Sequence, residues 1–308
     1  MEINGDVLTW LLAGDPAIRW QVLRDLLHAD RDEVERERAQ VVLEGWGARL
    51  LACQDDNGLW AGQLYDHKWI STTYTMLLLR QLGLPPDHPQ TRLGCIRLLD
   101  GGYQSEGALS YAKSSRRIDL GVNGMVLSIL SYFRHSDERV ARIVEYLLAK
   151  QSADGHWEPY LENMTLKYRF DTTLQVLEGL AEYLNQSADD SPLVEAAISR
   201  GVAFLLAHRI YLDSRGNPLE PRWTLFSFPP RWHYDVLAAM DFLYRWEYGY
   251  EPGMQSALDL IKAKARPDGR WALQNRHSGR TFFEMEKVGS PSRWNTLRAL
   301  RVFSIEKE

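Results

Sequence analysis

A four-residue stretch that occurs twice, as Ile70-Ser71-Thr72-Thr73 and as Phe170-Asp171-Thr172-Thr173, indicates the fold. Each copy opens a run of apolar, helix-forming residues, and its polar second residue stands where a helix N-cap is expected. Four further helix starts fit the same register, which gives six predicted caps: Asp15, Ser71, Asp119, Asp171, Asp235 and Asn295. All six are residue types preferred at N-caps, so the pattern predicts six helices with a common start.

A second set of helices is predicted between these starts, because apolar residues recur there at spacings of three and four. Its members are residues 4–13, 33–53, 90–99, 137–150, 192–208 and 253–265. No stretch is typical of a sheet strand. Links from the second set back to the first are long, and long links on one side of a scaffold usually carry binding residues.

The alternation predicts an all-α fold of the α/α6 type. Six helical hairpins would form a double-ring toroid, with six parallel inner helices inside six outer ones, as a single domain over residues 1–308. An open superhelical array is the alternative. Length alone favours about two domains, but the internal repeats outweigh that expectation.

The long links contain a recurring turn. Its fullest copies are Gln54-Asp55-Asp56-Asn57-Gly58-Leu59-Trp60, Gln151-Ser152-Ala153-Asp154-Gly155-His156-Trp157 and Pro267-Asp268-Gly269-Arg270-Trp271. Weaker copies run from Gly102 to Tyr111 and from Gly216 to Trp223. Asp or Asn before Gly favours a turn. The glutamine is expected to satisfy exposed backbone at the end of an outer helix, and the tryptophan to pack over the turn.

This turn resembles the Gln-Trp repeat of squalene–hopene cyclases and the related repeat of protein prenyltransferase β-subunits, from about residue 45 onward. The resemblance implies a toroid without the family's catalytic motifs. Of the Asp-x-Asp-Asp motif with which such cyclases protonate an alkene, the nearest match, Arg169-Phe170-Asp171-Thr172, keeps one acid. The Asp-x-Cys zinc pair of prenyltransferases and the Cys-Gly-Glu-Gln thioester are absent, so no metal and no cofactor are predicted.

Composition excludes several classes of protein. The net charge of −5 and pI of 5.9 argue against a nucleic-acid binder that works by bulk charge. No apolar run reaches the roughly 20 residues of a membrane span, and the start has no basic segment typical of a signal peptide. A cytoplasmic protein with a small-molecule ligand is the expectation. Cys53 and Cys95 are predicted to be buried thiols.

In a toroid, the residues just before the caps would gather at one rim, with the positive ends of the inner helices. The basic residues among them, Arg117, Arg169 and Arg293, would form a cationic ring with His233 and Lys68 and bind an anion. The alternative is structural: the aspartates cap helices, and the arginines pair with those acids.

The candidate site residues follow from this register and from the aromatic residues beside it. The candidate catalytic residues are Asp119, Asp171, Asp235 and His233. The candidate ligand-binding residues are Arg117, Arg169, Arg293, Lys68, Trp69, Trp232, Tyr234, Trp294 and His67. In the longest link, Glu284 and Glu286 are expected to face the same way if the loop is extended.

Three functions remain open, and the sequence does not decide whether the protein is an enzyme. An isoprenoid enzyme would stabilise carbocations with aromatic rings, although acids beside basic groups would have a lowered pKa and be poor donors to an alkene. A lyase or hydrolase acting on a polar anion such as an acidic sugar would use His233, Tyr234, Asp235, Arg169 and Trp232. A non-catalytic binding or scaffold protein would have kept the toroid alone.

Overall fold

The computed structural model describes residues 3–112, 118–159, 166–186 and 191–305. These residues form thirteen α-helices: α1 (Gly5–Leu12), α2 (Pro16–Asp25), α3 (Arg31–Leu43), α4 (Gly45–Leu51), α5 (Thr72–Leu82), α6 (Pro89–Gly102), α7 (Leu120–Tyr132), α8 (Glu138–Ala149), α9 (Leu166–Gln186), α10 (Pro192–Ala207), α11 (Val236–Arg245), α12 (Gln255–Ala263) and α13 (Arg293–Val302). Short 3-10 turns lie at Pro221–Thr224 and Pro252–Met254. The chain is helical, as predicted.

Each of the twelve predicted helices is found, and two details differ. The segment predicted as one helix over 33–53 is two helices, α3 and α4, because the backbone breaks at Gly45 with a φ of 72°. The expectation that no strand occurs is wrong, since β1 (Trp271–Ala272) and β2 (Pro291–Ser292) pair antiparallel.

Three predicted caps accept hydrogen bonds from helix amides. Asp15 Oδ1 accepts from Ala17 N at 2.9 Å, Asp119 Oδ1 from Gly121 N at 2.9 Å, and Asp235 Oδ1 from Ala238 N at 2.7 Å. The second oxygen of Asp15 accepts from Trp46 N at 2.7 Å, so this residue also holds the start of α4.

Two of the other predicted caps are wrong, and the third, Ser71, has the predicted position without a side-chain cap hydrogen bond among those of the described residues. Asp171 lies inside α9, which begins at Leu166, because the residues before it continue the helix. Asn295 lies in the first turn of α13, whose cap is Ser292, with its Oγ accepting from Asn295 N at 2.9 Å. Ser71 directly precedes α5, but its hydroxyl donates to the carbonyl of Tyr65 at 3.0 Å.

The recurring turn has one backbone geometry in all five copies. In each, the amide of one residue donates to the carbonyl four residues on, at 2.8–2.9 Å: Asp55 to Leu59, Gln104 to Ala108, Ser152 to His156, Asp213 to Asn217 and Arg266 to Arg270. The weaker copy near Gly216 therefore begins at Asp213. A glycine with positive φ occupies the fourth position of every copy, where other residues are strained.

Side chains of the fuller copies tie the turn to the helices. Gln54 Nε2 donates to the carbonyls of Gly58 and Gln90, both at 2.9 Å, and Gln151 Nε2 donates to those of Gly155 and Ala197, both at 2.8 Å. The tryptophan amide donates to a threonine hydroxyl of the next helix, at 3.0–3.1 Å, in the pairs Trp60–Thr72, Trp157–Thr173 and Trp271–Thr296. Gln54 and Gln151 thus bind carbonyls of the turn and of the helices α6 and α10, rather than the end of the helix that precedes the turn.

The chain divides into two compact units. Unit 1 comprises Met1–Ala52, Gln81–Pro85 and Leu206–Glu308, and unit 2 comprises Cys53–Arg80 and Pro86–Leu205. In unit 1, α13 packs against α2 and α11. In unit 2, α7 lies so close to α9 that a Cβ on Gly179 would be 2.5 Å from the carbonyl oxygen of Gly124. The toroid and the single domain over 1–308 stay predictions.

Two smaller expectations are also resolved. Cys95 is buried, whereas Cys53 is partly exposed, so only one of the two predicted buried thiols is found. Within the described ranges, none of the helices combines the length and apolar character that a membrane crossing requires.

Candidate functional site

Four aromatic rings of unit 2 form one contiguous group. The ring of Tyr65 lies 5.3 Å from that of Tyr74 and 6.1 Å from that of Tyr111, between ring centroids, and Trp69 meets Tyr74 edge-on at 4.8 Å. Trp69 and Tyr74 are buried, while Tyr65 and Tyr111 are partly exposed. These four residues and Asp119 are called the tyrosine cluster below.

Asp119 contributes a carboxyl group whose two oxygens differ. Oδ1 accepts from the amides of Gly121 and Val122, at 2.9 and 3.2 Å, whereas no hydrogen bond involves Oδ2 within the described residues. Burial raises the pKa of Asp119, and the two amide hydrogen bonds only partly oppose that rise. The residue is nevertheless partly exposed, so a ligand can reach it.

Tyr65 and Asp119 are electrostatically coupled. Burial raises the pKa of Tyr65 to about 12, and the charges of Asp119 and Asp66 add to that rise. Tyr65 is therefore a neutral hydroxyl at physiological pH. The cluster combines one partly exposed acid with several aromatic rings.

The predicted ligand residues His67 and Lys68 lie on the exposed edge of this cluster. Both are exposed, and Lys68 Nζ is 5.6 Å from the ring centroid of Trp69. Trp69 itself is buried against Tyr74 and forms one side of the cluster.

Asp171 is buried in α9, and Arg169 has an acidic partner. Asp171 is 4% exposed within α9. Arg169 pairs with Glu158, its Nη2 lying 3.1 Å from Oε1. The sequence missed this partner and also missed His156, which is buried with Nδ1 2.5 Å from Asp154 Oδ1 and Nε2 2.9 Å from Glu158 Oε1. The signal was present, since a carboxylate lies two residues away on each side of His156.

Asp235, in unit 1, is buried and fully engaged. Oδ1 accepts from Ala238 N, and Oδ2 accepts from the amide and hydroxyl of Ser227 at 3.1 and 2.8 Å. Burial raises the pKa of Asp235, although the charge of Arg298 opposes the rise. Its oxygens hold the loop before α11 in place, and this favours the structural alternative for that residue.

His233 and Trp232 belong to a stack of three rings. The ring of His233 lies 3.7 Å from that of Trp232 and 3.9 Å from that of His277. His277 Nε2 is 3.2 Å from Ser227 Oγ, and burial together with Arg231 lowers the pKa of His277 to about 4. The sequence analysis did not identify Ser227 or His277, because the two residues that meet here are 50 positions apart in the sequence.

Tyr234 and Trp294 are buried packing residues. The hydroxyl of Tyr234 donates to the carbonyl of Ile210 at 2.7 Å, and Trp294 stacks on Phe228 at 4.0 Å. Neither is exposed to a ligand in unit 1.

The two glutamates of the longest link do not face the same way. Glu284 is exposed and pairs with Arg276. The oxygens of Glu286 accept from Ser292 Oγ and from the amides of Arg293 and Trp294, and burial raises the pKa of Glu286. The loop turns between them because Glu286 closes the start of α13.

The predicted cationic ring draws on both units. Arg169 and Lys68 lie in unit 2 and Arg293 and His233 in unit 1, while Arg117 lies outside the described residues. The ring stays a prediction. Within the described ranges, no three His, Cys, Asp or Glu side chains are grouped so that they could hold a metal ion.

One expectation about the acids is wrong. Neighbouring basic groups were expected to lower the pKa of these carboxyl groups, but the pKa values of Asp119 and Asp235 are raised. Burial dominates for both, and no arginine acts on Asp119 within the described residues.

Comparison with known proteins finds similarity among solved structures. The chain is similar to the type II terpene cyclase MstE from Scytonema in its apo form, with 17% identity, a TM-score of 0.47 and coverage of 95% of this chain and 88% of that one. A variant of that cyclase in complex with merosterolic acid A (product) gives 17% identity, a TM-score of 0.46 and coverage of 95% and 87%. These TM-scores are too low to establish a common fold. No family model and no curated protein sequence matches the chain.

Proposed function

We propose that the tyrosine cluster binds an apolar, unsaturated small molecule of isoprenoid type and that Asp119 protonates it. The observation that carries this proposal is the state of the Asp119 carboxyl group, which has a raised pKa, one oxygen without a hydrogen bond from the described residues, and electrostatic coupling to Tyr65. A carboxylic acid with a raised pKa keeps its proton closer to neutral pH and can act as a general acid.

The proposed reaction is an isomerisation that needs no cofactor. The proton of Asp119 Oδ2 adds to one carbon of an alkene, and the adjacent carbon becomes a carbocation. A second alkene of the same molecule attacks it, forming a carbon–carbon bond, and loss of a proton gives a cyclic isomer of the substrate. The rings of Tyr65, Trp69, Tyr74 and Tyr111 would stabilise the cation through their π faces.

Asp119 is preferred over the other two candidate acids because of its surroundings. Asp235 uses both oxygens to hold Ser227 and Ala238, and Asp171 is almost fully buried in α9. We place the ligand at the start of α7, a predicted inner helix, with His67 and Lys68 contacting its polar end.

The test is turnover of squalene and of geranylgeranyl diphosphate in deuterated buffer, followed by mass spectrometry. We expect an isomeric product that carries one deuterium. Asp119→Asn keeps a good N-cap but has no acidic proton, so product formation should fall by at least about 100-fold. Asp137→Asn is the matched control, because Asp137 caps α8 in the same unit and is paired with Arg139.

Equal turnover by the wild type and Asp119→Asn would refute the assignment of the acid. Ligand binding without turnover would favour the non-catalytic alternative. The lyase or hydrolase alternative has no support from unit 1, since Tyr234 and Asp235 are both buried and engaged.

A further inference from the structure

Two arginine side chains lie close to the indole ring of Trp10 in α1. The guanidinium carbon of Arg270 lies 4.4 Å from the Trp10 ring centroid, and that of Arg293 lies 4.6 Å from it. Arg270 comes from the last copy of the recurring turn, and Arg293 begins α13. Because both guanidinium carbons lie within 4.6 Å of the same ring centroid, the two arginine side chains are close to each other.

Several arginines of unit 1 have an acidic partner, and among the described residues these two do not. Within the described residues, no carboxylate oxygen lies within 4.0 Å of either guanidinium group, whereas Arg19, Arg24 and Arg301 all form ion pairs. The buried Nε of Arg270 makes no hydrogen bond. Arg293 Nε donates to the carbonyl of Trp10 at 3.0 Å. The two terminal nitrogens of Arg293 make no hydrogen bond to the described residues.

The nearest acid is Glu286, whose oxygens already accept from the hydroxyl of Ser292 and from two amides at the start of α13. Burial lowers the pKa of Arg293, the charge of Glu286 opposes that fall, and the charge of Arg270 adds to it. Glu286 therefore offsets part of the positive charge near Trp10, but it makes no direct ion pair with either guanidinium group within the described residues.

We propose that Trp10, Arg270 and Arg293 form a binding site for a phosphate-bearing anion. A guanidinium group stacked on an indole satisfies none of its N–H donors, which point outward from the edge of its plane. A phosphate group has oxygens on several sides and can accept from both arginines at once, and arginine is well suited to such contacts. All three side chains are partly exposed, so the anion has access.

The test is calorimetric titration of the full chain with inorganic pyrophosphate at fixed, low ionic strength. We expect one saturable site, and we expect Arg270→Gln and Arg293→Gln each to weaken it by about tenfold or more. Arg266→Gln is the matched control, because Arg266 lies in the same turn but its Nε is 3.8 Å from Asp268 Oδ1. The control should bind as the wild type does.

Titration with succinate separates phosphate from carboxylate chemistry, and succinate should bind at least about tenfold more weakly. No saturable binding of pyrophosphate, equal weakening by all three substitutions, or succinate binding of equal strength would each overturn the proposal. If Arg293→Gln does not fold, Arg270→Gln decides the matter, since the Arg270 guanidinium makes no hydrogen bond within the described residues. The site uses no residue of the tyrosine cluster, so its test is independent of the proposed reaction.

Discussion

At the scale of single residues, Asp119 makes the free energy of unfolding depend on pH in an unusual direction. Its pKa is raised in the folded protein, so just above the ordinary value of 3.8 the folded state binds more protons than the unfolded state. Stability therefore falls as pH rises through that window. Asp119→Asn removes this effect and keeps a cap, so the variant should gain stability relative to the wild type as pH rises above 3.8.

Urea unfolding at several pH values measures this, and Asp137→Asn provides the contrast. Hydrogen bonds from Arg139 lower the pKa of Asp137 to about 2. The stability that Asp137 contributes is therefore complete above the unfolded value near 3.9 and is lost only as pH falls towards about 2. Its variant should show a constant deficit over the same range. A constant difference for Asp119→Asn would contradict the raised pKa.

The candidate site could be predicted only where its residues are close to a repeat. Asp119 was found because it is a predicted cap, and Trp69 because it lies two residues before the predicted cap Ser71. Tyr74 and Tyr111 were missed, since ring contacts with Tyr65 depend on how loops fold back and leave no periodic signal. The pairing of Trp10 with Arg270 and Arg293 joins both ends of the sequence, so local patterns could not reveal it.

At the scale of elements, the recurring turn offers a matched pair of substitutions. Gly155 and Gly216 occupy the same position in two copies, with φ values of 97° and 88°. A Cβ on Gly155 would lie 2.2 Å from the carbonyl oxygen of Arg200, whereas nothing lies within 4 Å of one on Gly216. We expect Gly216→Ala to cost about 1 kcal/mol from backbone strain alone, and Gly155→Ala to cost clearly more.

Chemical denaturation of the two variants measures the difference. Equal losses would mean that α10 shifts freely to admit the methyl group, and would contradict a rigid contact between turn and helix. A larger loss in Gly216→Ala would contradict the shared geometry of the five turns.

Helix positions could be predicted well because apolar spacing and start signals agreed for most of them. The prediction failed at α9 and α13, where a polar residue resembles a cap but lies inside the helix. Capping type alone does not fix a start when the preceding residues also favour helix, as Leu166–Phe170 do. Ser292 capped α13 instead because the strand pair of β1 and β2 delivers it there.

At the scale of the whole molecule, a buried ionic network joins α2, α11 and α13 of unit 1. Arg301 of α13 donates to Asp241 at 2.6 Å and to Asp25 of α2 at 2.8 Å, and its side chain is 3% exposed. Arg301→Met leaves two buried carboxylates without this partner, which should cost about 3–5 kcal/mol of unfolding free energy. Arg142→Met is the control, because Arg142 and Glu145 are both exposed, and it should change stability little.

The same variant should respond to acid in a defined way. Burial is the largest single influence on the pKa values of Asp25 and Asp241 and raises them, but Arg301 and the other nearby arginines together outweigh it, so both are lowered. Their contribution is present above the unfolded value near 3.9 and is lost as pH falls below it. The stability gap between wild type and Arg301→Met should therefore shrink from pH 6 to pH 3, and a widening gap would contradict the network.

This network also has a consequence for how the protein is made. Ribosomes add about 5–20 residues per second, so α2 leaves the ribosome roughly a quarter of a minute to a minute before α13 is synthesised. During that interval Asp25 has no Arg301, and the apolar face of α2 has no α13 to cover it. The part of α2 that α13 covers therefore stays exposed until synthesis of the chain is nearly finished.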